Sequence, residues 1–147
     1  MKITGKYKIK TYKQGELIRE SDWIKNLIVA NSNRGVSLII ERLSGATAYD
    51  LEITSASIGT GTTAPTDNDT GLETSVLDSI LVASLTKTIK RLTLNFFISD
   101  AELTNGTYTE FGLFCGTRLF ARSLITPSYT KSSGEDTTIE YIIDVDN

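Results

Sequence analysis

Apolar and polar side chains alternate one by one along several segments of this 147-residue chain. The alternation is clearest at residues 3–11, 91–98 and 137–145, where every second position faces the same way. A period of two is typical of a β-strand with one buried face. Turn signals separate these segments, and no regular exchange of strands and helices occurs. The pattern therefore predicts an all-β fold, an antiparallel β-sandwich of roughly seven to nine strands.

One segment has helical periodicity instead. Its apolar residues recur at the spacing of a single helical face: Val36, Ile39, Ile40 and Leu43. This spacing predicts one short α-helix over about residues 33–43, with the apolar stripe packed on the core. Polar side chains at 31–33 are available as N-caps, and Gly45 follows as a C-cap glycine.

The charge distribution is uneven along the chain. Residues 1–13 contain five lysines and no acid, whereas residues 135–147 contain five acids and no base. Two interpretations are open: two solvated strand faces, or a basic first strand that meets an acidic last strand within the chain or on a neighbour. A boundary near residue 30 further predicts an N-terminal strand or hairpin arm (1–30) and a sandwich domain (31–147).

Composition excludes several classes of protein. A net charge of −3 argues against a general polyanion binder, so no nucleic-acid partner is predicted. No run of eighteen apolar residues occurs, and the N-terminal residues lack the apolar segment of a signal peptide. The single cysteine, Cys115, rules out an internal disulfide framework and is predicted to be a small packed residue.

The sequence also contains little catalytic machinery. Histidine is absent, which excludes Ser-His-Asp and Cys-His arrangements. Carboxylates are available for glycoside hydrolysis, but no spacing singles out a pair: Glu52, Asp78, Asp100, Glu102 and Glu110. The chain is therefore predicted not to be an enzyme and to need no cofactor.

A long polar connection spans residues 59–73. Its Asp67-Asn68-Asp69 run fails the EF-hand pattern, because Leu72 stands where glycine is required. A phosphate-binding loop would need a lysine and a following helix, and neither is present. No metal is predicted here. A connection of this length in a small domain is usually functional, or ordered by something outside the chain.

Short sequence motifs in and after this connection are recognisable. The segment 56–65 has the sequence ASIGTGTTAP, and 69–73 has the sequence DTGLE. They are followed by EFGLF at 110–114 and LFAR at 119–122. Together these phrases resemble a family of bacteriophage virion proteins from tails, baseplates, fibres and capsid surfaces. Glu110 and Arg122 flank the predicted hairpin and are expected to form an exposed cross-strand ion pair.

The resemblance implies a virion structural protein, made in the host cytoplasm, that assembles with other tail, baseplate or fibre proteins. It implies a homo-oligomer, a trimer or a ring, with no membrane partner. The alternatives are a capsid decoration protein and a receptor- or carbohydrate-binding module, which would need a platform of exposed aromatic side chains. The predicted contact residues come from the basic first strand and the long loop: Lys6, Lys8, Lys10, Gly59, Thr60, Gly61 and Pro65.

Overall fold

The computed structural model describes residues 1–146, which form eleven β-strands and one α-helix. In chain order these are β1 (Lys2–Lys13), β2 (Glu16–Glu20), β3 (Ile24–Ile28), β4 (Ala30–Asn31), β5 (Arg34–Gly35), α1 (Val36–Leu43), β6 (Ser55–Gly59), β7 (Ser75–Lys87), β8 (Arg91–Ile98), β9 (Gly106–Cys115), β10 (Arg118–Lys131) and β11 (Glu135–Asp146). Within this part of the chain, no helix has the length and apolar character needed to cross a membrane.

Eight of the strands form a closed ring in the order β11-β8-β7-β6-β9-β10-β3-β1, and β1 pairs with β11 to complete it. The pairing is antiparallel throughout the ring. The predicted all-β, antiparallel fold with one short helix is confirmed. The sheet closes into a barrel, however, where the sequence predicted a sandwich of two sheets. Closure gives β1 and β11 a partner on the side where each would otherwise be an edge strand.

The closing pair joins the basic and acidic ends of the chain. β1 and β11 align over twelve residue pairs, and three of these pairs place a lysine opposite an acid: Lys2↔Asp146, Lys8↔Glu140 and Lys13↔Glu135. Lys10 also lies 3.9 Å from a carboxylate oxygen of Glu140. The second interpretation of the charge distribution is therefore the one observed, within a single chain.

Residues 1–30 contribute both to the ring and to a projection. β1 and β3 are members of the ring, whereas β2 pairs only with β1 and lies outside it. Residues 13–20, at the tip of the β1–β2 hairpin, are all exposed.

Aromatic side chains fill the centre of the barrel. Tyr7 from β1 stacks on Tyr141 from β11 at 5.9 Å between ring centroids and meets Phe111 from β9 at 4.9 Å. Phe96 from β8 meets Phe111 in an edge-to-face arrangement at 6.2 Å between ring centroids. Burial raises the pKa of both tyrosines well above the usual value. The strand alternation predicted from the sequence therefore fills one continuous core.

The helix is shorter than predicted and turns a different face to the core. The short β4–β5 pairing and a positive φ at Asn33 and Gly35 occupy the expected first turn, so α1 begins at Val36 and has no side-chain N-cap. Gly45 ends it as expected, with its N–H donating to the Arg42 carbonyl at 3.1 Å. Leu38 is the helical residue that is buried.

The apolar stripe of the helix does not pack on the core as predicted. Val36 is 40%, Ile40 59% and Leu43 77% exposed, and only Ile39 packs against core residues. This prediction is wrong, because helical periodicity shows that a face is apolar but does not show what covers it.

Candidate functional site

The long loop between β6 and β7 is held by one buried carboxylate. Glu110 lies on the face of β9 opposite Phe111, so it points out of the barrel, yet it is 0% exposed because the loop covers it. Its two oxygens accept hydrogen bonds from the backbone N–H groups of Gly61 (2.7 Å), Glu73 (2.9 Å) and Thr74 (2.7 Å). Both ends of the loop are thereby tied to the same side chain.

Arg122 on β10 completes this network. Its Nε and Nη2 donate to Glu110 Oε1 at 3.1 and 3.0 Å, and Nη2 also donates to the Thr63 carbonyl at 2.9 Å. Nη1 donates to Asp69 Oδ2 at 2.9 Å. The side chains of Arg122 and Glu110 are 3% and 0% exposed, so the predicted ion pair forms but is buried rather than exposed. Because the pair is buried, its contribution to stability depends on the hydrogen bonds that satisfy both charged groups. We call Glu110, Arg122 and Asp69 the loop anchor.

Asp69 belongs to the loop itself and shapes its tip. Its carboxylate accepts hydrogen bonds from the Thr66 N–H (3.0 Å) and hydroxyl (3.1 Å) as well as from Arg122. Partial burial raises the pKa of Asp69, but the hydrogen bonds from Thr66 and Arg122 outweigh it and hold the pKa below the usual value. Both oxygens are therefore engaged by the protein. Among residues 1–146 no group of three or more potential metal ligands is assembled.

Close packing around the loop requires glycine at two positions. A Cβ at Gly61 would collide with the Glu110 carboxylate, and one at Gly59 would collide with the Thr74 carbonyl. Both glycines are buried, so they lie beneath the surface that the sequence predicted for partner contact. Thr60 is exposed and Pro65 half-buried.

The predicted contact lysines lie on a different surface. Lys6, Lys8 and Lys10 are half-buried on β1. The ammonium groups of Lys6 and Lys8 each lie 4.8 Å from the ring centroid of Trp23, and Lys8 pairs with Glu20 at 3.1 Å. Lys6 and Lys8 thus contact residues between β1 and β3, Lys10 faces Glu140 on β11, and within residues 1–146 no hydrogen bond or ion pair links the three lysines to the loop.

The aromatic candidates for a carbohydrate platform are separated. Trp23 contacts two lysines but is 38% exposed, and the Arg118 guanidinium lies 3.8 Å from the Tyr49 ring. Tyr108 and Tyr129 are buried as a cross-strand pair between β9 and β10. Tyr108 and Tyr129 are therefore not available to an exposed platform.

The remaining reactive groups are engaged separately. Cys115 is buried as predicted, and burial raises its pKa to about 12. Asp78 accepts a hydrogen bond from Ser57 at 2.8 Å, Glu102 accepts one from Ser99 at 2.8 Å, and Asp100 pairs with Lys131.

The surface that the sequence did not predict lies along α1. Its exposed apolar residues border a groove of about 640 Å³ between β1, β3 and the helix. Val36 and Ile40 also border a second groove of about 310 Å³ on the other side of the helix, with Ala30, Asn31 and Ser37. We call Val36, Ile40 and Leu43 the apolar ridge. The signal was present in the sequence, as the stripe that was assigned to the core.

Comparison of the chain with protein-family models, with curated proteins and with solved structures finds no match. Function is therefore inferred from the residues and their geometry.

Proposed function

We propose that this chain is a bacteriophage virion structural protein that assembles with other tail, baseplate or fibre components through protein contacts. One observation carries the proposal: the phrases that resemble virion proteins meet in the loop anchor. Gly61 comes from the first phrase, Asp69 from the second, Glu110 from the third and Arg122 from the fourth. Residues far apart in sequence thus form one structural unit.

The anchor supports a structural role for these phrases. Its charged groups are paired and hydrogen-bonded, and those of Glu110 and Arg122 are buried, so they are occupied by the fold rather than offered to a substrate. A buried network of this kind fixes one arrangement of the chain, here a polar loop held against the outer face of β9 and β10. A rigid loop of this kind suits a protein whose surface has to match a neighbour.

Exposed apolar side chains support assembly. The apolar ridge on α1 is one such surface. A second is formed by Leu81 on β7 and Phe97 on β8, which are 70% and 49% exposed. Contiguous apolar exposure is typical of surfaces that become buried in a complex. Burial of Tyr108 and Tyr129 leaves fewer aromatic side chains for a platform and favours this role over carbohydrate binding.

The test is to locate the chain in purified particles of the phage whose genome encodes it. Mass spectrometry of the particle proteins and a cryo-EM map are expected to find it in fixed copy number in the tail, baseplate or fibre. A place on the capsid surface would support the decoration alternative instead. If the chain is abundant in infected cells but absent from intact particles, the proposal fails.

A further inference from the structure

The apolar ridge has a different charge on each side. The groove on the β1–β3 side is bordered by three lysines, Lys2, Lys6 and Lys25, and by no acid. Lys2 and Lys25 are exposed and take part in none of the ion pairs found within residues 1–146. This side of the ridge is therefore basic and apolar.

The opposite side of the ridge is acidic. Ser37 borders the second groove, and Glu41 follows it one turn later on the same helical face. The Asp67 carbonyl accepts hydrogen bonds from the Ala30 N–H (3.2 Å) and from Asn31 Nδ2 (2.7 Å), which brings the acidic loop beside this groove. Neither Glu41 nor Asp67 joins an ion pair in the described part of the chain.

Two arginines lie near this side in the sequence, Arg34 and Arg42, and neither forms an ion pair with Glu41 or Asp67 within residues 1–146. The Arg34 guanidinium donates to the Ser32 carbonyl, and the Arg42 guanidinium donates to the Tyr49 carbonyl. Both groups are directed to the backbone of their own chain and leave the two carboxylates without an ion-pair partner there.

We propose that the apolar ridge binds the same ridge of a second copy of this chain. A half-turn about an axis that runs parallel to α1 in the plane of contact brings the two ridges together. It also exchanges their sides, so the lysine side of each copy faces the acidic side of the other. An axis across the helix would place like charges together. The charge arrangement therefore selects one two-fold, isologous contact.

The grooves supply room for such a contact. The larger groove is lined by aliphatic side chains, among them Ile3, Ile28 and Ile39, and can receive ridge side chains of the second copy. In the proposed dimer, the apolar ridge that is exposed in the single chain would be buried between two chains. The proposed two-fold pair is an alternative to the trimer or ring that the resemblance implies. Its biological meaning rests on the proposed assembly role.

The first test measures the mass of the purified full chain by sedimentation equilibrium over a range of concentrations. We expect a monomer–dimer equilibrium that ends at twice 16.1 kDa. Ile40→Glu is expected to raise the dissociation constant at least tenfold, about 1.4 kcal/mol. The matched control is Ile18→Glu, the same substitution at an exposed isoleucine on β2 that borders neither groove, and it should leave the dimer intact. A monomer at every concentration, or equal effects of the two variants, overturns the proposal.

The second test exchanges charges across the ridge. Lys25→Glu and Glu41→Lys are each expected to weaken the dimer, while the double variant restores it because each side again faces its opposite. Thermal unfolding of the variants checks that folding is unchanged. A double variant that does not restore the dimer overturns the proposal. That result is expected if the groove instead receives an acidic peptide of another protein. These measurements use the isolated chain, so their failure is distinct from failure to find the chain in particles.

Discussion

Glu110 is the residue on which the loop depends most. Glu110→Gln would place an amide NH₂ against the backbone donors of the loop or against the Arg122 guanidinium, since the two carboxylate oxygens together accept from Gly61, Glu73, Thr74 and Arg122. Removing one partner of a buried ion pair costs about 3–5 kcal/mol. We expect a loss of this size in the free energy of unfolding, measured with urea.

The control for this variant is Glu102→Gln, at an exposed carboxylate that contacts Ser99. It should change the free energy of unfolding by no more than about 0.5 kcal/mol. Limited proteolysis provides a local readout, because loss of the anchor should open the loop to cleavage before the barrel unfolds. Equal stability of the two variants would show that the buried pair does not hold the loop.

The lowered pKa of Asp69 predicts that the stability of the protein depends on pH. Its pKa in the folded protein is below the value of 3.8 for a free side chain. The folded state therefore binds fewer protons than the unfolded state near this pH, so the contribution of Asp69 is present above pH 3.8 and is lost as pH falls through the folded pKa. Asp69→Asn should cost about 1–2 kcal/mol at pH 7.

The measurement is the free energy of unfolding of both proteins between pH 7 and pH 3. The difference between them should shrink toward zero at the acidic end, while other carboxylates affect both proteins alike. A difference that stays constant with pH would mean that the Asp69 charge does not contribute to the anchor.

The residues of the anchor could be predicted from the sequence only in part. The hairpin spacing predicted that Glu110 and Arg122 pair, and they do. Their burial was not predictable, because it depends on a loop that lies 36 to 59 residues away in sequence. The glycines at 59 and 61 were predicted as contact residues, because sequence shows that glycine is needed without showing what approaches it.

At the scale of the element, α1 offers a direct test of which face is core. Leu38 is 2% exposed and Ile40 is 59% exposed. Leu38→Ala should therefore cost about 2–5 kcal/mol, the usual range for a buried leucine. Ile40→Ala should change the stability of the monomer by no more than about 0.5 kcal/mol. Chemical denaturation at concentrations where the monomer dominates measures both, and equal losses would contradict the observed orientation of the helix.

Strands were more predictable than the helix for a physical reason. A strand with alternating residues buries one face whatever its neighbours are, so the alternation in β8 and β11 predicted their buried sides correctly. A short helix can bury its apolar stripe in its own domain or in a partner. Both cases need the same pattern of apolar residues, so the sequence of α1 does not distinguish between them.

At the scale of the whole molecule, closure of the sheet is the feature that sequence could not determine. Alternating strands are equally compatible with a sandwich and a barrel, because each strand buries one of its faces in both architectures. The difference lies in whether β1 and β11 pair, and these are the two ends of the described chain. The charge distribution indicated that pairing, but it left open whether the partner strand belonged to the same chain.

Closure by β1 predicts the result of removing residues 1–30. A separate arm could be deleted without harm, whereas a barrel would lose two strands of its ring, the buried Tyr7 and the partner of β11. We therefore expect residues 31–147 alone to lack a cooperative thermal transition and the near-ultraviolet circular dichroism of a packed aromatic core. A milder control shortens only the exposed hairpin tip by replacing residues 14–17 with a two-residue turn, which keeps the Arg19–Glu135 ion pair and should retain both signals. A truncated chain that unfolds cooperatively would show that residues 1–30 are an independent arm and that the ring is not required for folding.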